Sequence, residues 1–377
     1  MIRDDGNANP SNALSSPDYL RTSQAAALSM RLQAGRFFRD IELGGINVLL
    51  NYESGCHANC AYCGLARERP GNYEEKSFIR VDWPVFATEK IIDQMEKRQV
   101  RMGRFCISQV VHRLTHEDTM EVVRRFRKRV SVPISVLVAP PVLNRERIRE
   151  MKDAGVDMIG VGLDAVSEEV FERKRGNGVR GGLTWKKYWE VIDTCREIFG
   201  PWKVNCHIVI GLGDTDADIL KFIVYLKTRQ IYAYLFHFYP EPDSRMARSK
   251  RPSLLRSRKL QLLKVLLESD EIGLDQIVFD PKGSVAKASI DRKILDRAID
   301  SGLPFMTNGC PDNRTGLVSC TRPFGSYRPG EPFRDYPFVP TAEDLRQIRR
   351  RLQLNTWIEE YGKSARHSRE DLVSWQG

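Results

Sequence analysis

The chain has 377 residues, 41% of them hydrophobic, and 59 Lys and Arg against 49 Asp and Glu give a net charge of +10. That length buries one large core or two modest ones, so a single barrel of this size needs no second domain. No run of eighteen apolar residues occurs and the stretch from Met1 to Ser16 is polar, so neither a membrane span nor a secretion leader is expected, and the cytoplasm is the expected location.

Residues 1–17 are expected to be disordered. Asp18 to Gly35 reads as a capped helix, with Ser-Pro-Asp ahead of an Ala/Leu/Met-rich run and a glycine at its end. Short apolar runs follow, each a strand candidate: Ile46–Tyr52, Arg104–Gln109, Pro133–Val138, Asp157–Leu163, Lys203–Ile210 and Tyr232–Phe238. Helical periodicity fills the intervals near Pro84–Lys97, His116–Arg129, Asn144–Ala154, Trp185–Phe199 and Asp216–Thr228. Strands that are apolar on both faces and separated by helices imply a parallel sheet. The fold class is therefore α/β, a partial or full (β/α) barrel of the TIM type, with chemistry on the loops that leave the C-terminal ends of the strands.

A helix over Leu254–Glu268, a short strand at Ile277–Phe279 and a helix near Lys287–Ser301 extend this unit, so the barrel domain with its N-terminal helix is expected over residues 18–302. Residues 303–377 then form an extension. Leu303 to Pro340 is rich in Gly, Pro, Arg and aromatics without periodicity, and a capped basic helix follows at Thr341–Leu354. A long aperiodic loop is either functional or tied down by something. The basic stretches Lys250–Arg258 and Arg346–Arg351 would steer an acidic partner or nucleic acid, or are solvated helix faces.

Eight cysteines in a reducing compartment are metal ligands or small buried residues rather than a disulfide framework. Three of them, Cys56, Cys60 and Cys63, fall within eight residues on the loop leaving the first barrel strand. Three thiolates hold three irons of a [4Fe–4S] cube and leave the fourth open to a small molecule. Zinc is the alternative, but it favours four N or S ligands in paired knuckles, and here only His57 stands nearby without a matching pair.

Cys-x3-Cys-x2-Cys, with Tyr62 before the last cysteine, resembles the signature of the radical S-adenosylmethionine (SAM) superfamily. The resemblance implies that the open iron chelates the amino and carboxylate groups of SAM, whose reductive cleavage gives a 5′-deoxyadenosyl radical that abstracts hydrogen from an unactivated carbon. It places Tyr62 against the adenine, Asp164 at the ribose hydroxyls, and Gly211 and Gly213 where backbone approaches the adenine. Arg173, Arg175 and Arg180 are candidates for the SAM carboxylate, with Arg180 favoured because it precedes the helix that starts at Thr184. Each has a plainer role: Asp164 as a helix cap, the glycines as turns, the arginines as solvated charge.

Cys106 on the second strand and Cys206 on the fifth resemble the cysteines that hold a second, sulfide-donating cluster in biotin synthase. The third such cysteine is missing from Ile134–Leu137, which argues against biotin synthase itself. Cys310 and Cys320 in the C-terminal loop, in Gly309-Cys310 and Cys320-Thr321-Arg322-Pro323-Phe324-Gly325, look like those of the lipoyl synthases built from two radical SAM subunits, as does Arg180-Gly181 with Trp185-x3-Trp189. That resemblance implies sulfur insertion into an octanoyl chain on a lipoyl carrier protein or peptide, sulfide from an auxiliary Fe–S cluster held by some of Cys106, Cys206, Cys310 and Cys320, a possible second radical SAM subunit, and a reductant such as ferredoxin or flavodoxin. Cys195, mid-helix, is expected to be inert. Other readings remain open: a radical SAM mutase similar to methylornithine synthase, a radical SAM enzyme acting on RNA, or an iron–sulfur electron carrier without catalysis.

Overall fold

The computed structural model describes residues 14–36, 39, 43–78, 81–312, 318–319 and 333–360. In chain order the main elements are β1 (Tyr19–Thr22), α1 (Gln24–Ser29), β2 (Gly45–Leu50), β3 (Val85–Ala87), α2 (Thr88–Arg98), β4 (Arg104–Ser108), α3 (Thr115–Arg127), β5 (Ile134–Val138), α4 (Arg145–Asp153), β6 (Val156–Asp164), α5 (Glu168–Lys174) and α6 (Trp185–Phe199). They continue as β7 (Val204–Ile210), α7 (Asp216–Thr228), β8 (Tyr232–His237), α8 (Leu254–Glu268), β9 (Ile277–Phe279), β10 (Val285–Ile290), α9 (Arg292–Ser301), α10 (Ala342–Leu352) and β11 (Ile358–Glu360).

Six parallel strands in the order β2-β4-β5-β6-β7-β8 form the sheet predicted from sequence, with β1 and β3 added antiparallel beyond β2. No pairing joins β8 to β2 among the described residues, so the barrel is partial. Side chains alternate between the lumen and the helical layer, because successive residues of a strand point to opposite faces. Asn47, Cys106, Ser135, Gly160, Asn205 and Tyr234 face the lumen, while neighbours such as Ile107, Val136, Val161 and Ile208 pack outward in the core. Side-chain caps set the helix starts: Asn144, Ser167, Thr184, Thr215, Ser253 and Thr341 each accept a backbone N–H of the first turn.

Two predicted helices begin as strands. Tyr19–Thr22 pairs with both β2 and β3, and only then does Ser23 cap the six-residue α1. The edge of β2 would otherwise be open, and Leu20 and Arg21 are buried in covering it. Lys287 likewise belongs to β10, the centre of a three-stranded sheet with β9 and β11, and α9 starts after the cap at Asp291. The predicted disorder of 1–17 falls on 1–13, which lie outside the described residues, and on Leu14–Pro17, where Ser16 is buried and bonded through its amide to the Asn51 carbonyl at 2.8 Å.

Described residues just beyond 302 pack against barrel elements. Residues 305–308 and 333–336 lie together against β8 and α8: the Leu235 amide donates to the Asn308 side-chain oxygen at 3.0 Å, the Thr307 amide to the Tyr336 carbonyl at 2.8 Å, and the Tyr336 amide to the Phe305 carbonyl at 2.9 Å. Arg258 on α8, fully buried, donates to the carbonyls of Phe333 (2.6 Å) and Arg334 (2.7 Å) and lies over the Phe305 and Tyr336 rings. A guanidinium with five donors satisfies the carbonyls of irregular backbone that no sheet or helix does. These bonds order the described part of the aperiodic loop.

The two basic runs are largely occupied. Arg256 pairs with Asp216, Arg346 with Glu343, and Arg349 with Asp296 and Asp300. No helix among the described residues is long and apolar enough to cross a membrane.

Candidate active site

The loop after β2 carries the three cysteines and is pinned by backbone bonds to distant elements. The His57 amide donates to the Val111 carbonyl (2.8 Å) after β4, the Ala61 amide to Lys174 (2.8 Å) at the end of α5, and the Met246 amide to Ala61 (3.1 Å). The Asn59 amide side chain reaches the Val179 carbonyl at 2.7 Å. The loop is thereby drawn over the C-terminal mouth of the barrel. Cys56, Cys60 and Cys63 line one cavity of about 260 Å³ there, together with residues from the ends of all six parallel strands. Its walls are mostly apolar, with Leu49, Val110, Leu137, Val138, Val209 and Phe238 among them.

Burial disfavours the thiolate of each outer cysteine. It pushes the Cys56 thiol up to about 11, and it pushes Cys63 well above the ordinary thiol range with help from the neighbouring Cys60 and Cys56. Three thiols that repel one another as anions in a dry cavity suit a polycationic metal core, which drives off their protons on ligation. Three thiolate donors suit three corners of a [4Fe–4S] core, whereas structural zinc takes four ligands.

One polar wall faces these thiols. The Tyr62 hydroxyl donates to the Asp164 carboxylate, and Arg175 lies 3.4 Å from the same carboxylate. Arg175 is 7% exposed, donates to the carbonyls of Gly162 and Leu163 and to the Tyr188 hydroxyl (2.9 Å), and stacks over the Tyr188 ring. Asp164 stands at φ 66° where β6 breaks register with β7, a conformation that aspartate tolerates better than most residues. Ser167, not Asp164, caps the next helix.

Other sequence-predicted contacts lie elsewhere. Arg180, favoured for the SAM carboxylate, has a side chain 74% exposed and pairs with Glu68 at 2.9 Å outside the cavity. Glu68 is held down at about 2 by Arg245, Asn59 and Arg180. Arg173 pairs with Glu169 on the surface. Arg175 is the only one of the three on the cavity wall, because it follows α5 and turns back under β6. Gly211 and Gly213 do not line the cavity; a Cβ would fall 2.6 Å from Pro252 Cγ at the first and 2.7 Å from the end of the Arg173 side chain at the second.

Cys106 and Cys206 do not meet. Cys106 faces the lumen, whereas Cys206, one position out of phase with the lumen-facing Asn205 and His207, is fully buried among the helices near Cys195 and Arg229. Cys310 instead reaches the lumen from below, beside Cys106, with the Asn205 amide 3.7 Å from its Sγ. Burial pushes the Cys310 thiol up to about 11. The void beside this pair is about 30 Å³, smaller than an iron–sulfur core. Leu137, His207 and Phe236 line both this void and the larger cavity above it. Cys320 lies outside the described residues.

Sequence reading missed the wall formed by β8 and the 333–336 segment. His237, Glu241, Arg334 and Asp335 all line the cavity, and His237 lies 3.4 Å from Asp335. Only the polar Glu-Pro-Asp-Ser stretch after β8 hinted at it.

A profile of the radical SAM superfamily matches residues 50–226. A biotin synthase of Persephonella marina is 23% identical over 175 residues, 46% of this chain and 48% of its own length. A GTP 3′,8-cyclase of Limosilactobacillus fermentum is 22% identical over 206 residues, 52% of this chain and 55% of its own. The chain thus spans about half the length of the curated relatives it matches. The solved structure of a methylornithine synthase is similar at 12% identity with a TM-score of 0.47, over 90% of this chain and 87% of that one. The residues that the radical SAM superfamily profile matches, 50–226, include the loop bearing Cys56, Cys60 and Cys63 and the strands that surround it.

Proposed function

We propose that this protein is a radical SAM enzyme that inserts sulfur into an unactivated carbon of an octanoyl chain carried as an amide on a lysine of a lipoyl carrier protein. The observation that carries this reading is the shape of the interior: an apolar cavity under the three cysteines adjoins the void beside Cys106 and Cys310, with lining residues in common. An alkyl chain fits such walls, at about 25 cal/mol per Å² of apolar surface removed from water.

When bound, the cluster and SAM supply the one-electron cleavage and the hydrogen-abstracting radical that the family implies. Cys56, Cys60 and Cys63 would hold the cluster. Asp164, with Tyr62 and Arg175 fixing its orientation, would accept from the ribose hydroxyls. Arg175 replaces Arg180 as the candidate for the SAM carboxylate. The apolar walls orient the alkyl chain and exclude water from the reacting carbon.

Cys106 and Cys310, with Cys320 as a third candidate ligand, would hold an auxiliary cluster whose sulfide is the sulfur source. The void of about 30 Å³ beside the first two is too small for that cluster unless the Gly309–Cys310 segment stands further out from the lumen. A reductant such as ferredoxin or flavodoxin, and a second radical SAM subunit for the other sulfur, complete the reading.

Anaerobic incubation with SAM, reductant and an octanoyl-lysine peptide tests it. A peptide mass gain matching one or two inserted sulfurs is expected. Formation of 5′-deoxyadenosine with the peptide unchanged would overturn the sulfur-insertion reading.

A further inference from the structure

His237 ends the last barrel strand and lines the main cavity. Its side chain is 4% exposed, yet neither ring nitrogen has a hydrogen-bond partner among the described residues. Burying an imidazole without a partner is unfavourable, so its persistence in a cavity wall points to a group that completes it. Asp335, 1% exposed, lies 3.4 Å from Nε2 and is fixed in turn by the Gln261 amide at 2.8 Å. A carboxylate beside Nε2 favours the proton on that nitrogen and leaves the Nδ1 lone pair as an acceptor.

We propose that His237, oriented by Asp335, is a substrate-recognition residue that accepts a hydrogen bond from the N–H of a secondary amide. The inference rests on the octanoyl-lysine reading, in which one amide N–H joins an otherwise apolar chain to its carrier. An acceptor in the polar patch of His237, Glu241, Arg334 and Asp335, within a cavity otherwise mostly apolar, is matched by that single donor. A site built around such a bond rejects an analogue that lacks the donor, because the buried acceptor is then left unpaired. Asp335 acts through His237 and is a positioning residue. Arg258 and Gln261, which hold the 333–334 backbone, keep it in place.

The test compares two probes on anaerobically reconstituted, SAM-loaded protein: a peptide bearing octanoyl-lysine, and the same peptide with the amide replaced by an ester, which keeps the carbonyl and removes the N–H. The wild type is expected to bind the amide about 10- to 100-fold more tightly than the ester. His237→Leu, which removes the acceptor, is expected to bind both within about threefold while keeping SAM affinity within about twofold. Asp335→Asn is expected to lose part of the discrimination, and it carries the comparison if His237→Leu does not fold. Equal binding of the two probes by the wild type, or full discrimination retained in the variants, overturns the role of His237. Failure of the wild type to bind either peptide overturns the octanoyl-lysine reading itself.

Discussion

Arg175 sits 3.4 Å from Asp164 on the wall opposite the three cysteines, and each fixes the other: the carboxylate also accepts from Tyr62, and the guanidinium also holds the carbonyls that end β6. Removing the carboxylate leaves Arg175 buried with its carbonyl and Tyr188 bonds intact. Asp164→Asn is therefore expected to weaken SAM binding about 10- to 100-fold with a small change in melting temperature. Arg175→Ala is expected to lose SAM binding and also about 2–4 kcal/mol of stability, since buried carbonyls lose their donor. Equilibrium SAM titration and thermal unfolding check both.

Arg180→Ala should leave SAM affinity within about twofold of wild type, because the side chain is solvated and paired with Glu68. A tenfold loss in the same titration would restore the reading from sequence.

The six barrel strands and most of their helices were legible because apolar runs and capped periodic segments obey local rules. The cysteines on the strands were not, because their chemistry depends on phase. Cys206 and Asn205 differ by one position, and that step sends one to the helical layer and the other to the lumen. Arg21 and Arg258 were unreadable for another reason. Each is a charged residue in sequence, but each is buried by bonding the carbonyls of irregular segments, Tyr73, Lys76 and Trp83 for the first and Phe333 and Arg334 for the second. Nothing local signals a partner so far away in the chain.

That geometry predicts a large penalty for a small change. Arg258→Met keeps the apolar stem but removes the Arg258 donor from the Phe333 carbonyl and leaves the Arg334 carbonyl to Gln261 alone, and about 2–4 kcal/mol of stability should go with these bonds. Denaturant unfolding measures it, and a loss below about 1 kcal/mol would mean that the 333–336 segment is held by its aromatic packing alone.

Iron content separates the cysteines. Cys206→Ala should leave iron per chain unchanged and cost about 1 kcal/mol for a small core cavity. Cys106→Ala and Cys310→Ala should lower iron content if sulfide is bound at the barrel floor. Anaerobic reconstitution with iron and sulfide quantification checks all three.

Asp118 gives a pH signature of folding. Burial raises its carboxyl to about 6, with the Tyr52 hydroxyl donating to it at 2.8 Å as a partial offset. The fold therefore favours the protonated form. Its contribution is full below the unfolded carboxyl value near 4 and is lost as pH rises to about 6. Asp118→Asn removes this loss, so the variant should gain on wild type between those values and stay about 1–2 kcal/mol more stable above them. Parallel unfolding curves across that range would contradict the assignment.

The cluster-bearing triplet is tested most directly by 5′-deoxyadenosine formed from SAM under a strong reductant, measured by chromatography on the anaerobically reconstituted protein. The wild type should produce it, and Cys56→Ser, Cys60→Ser and Cys63→Ser should each lower the yield by at least about 100-fold. Equal yields from wild type and Cys60→Ser, or none from a wild type with its iron in place, would contradict the account.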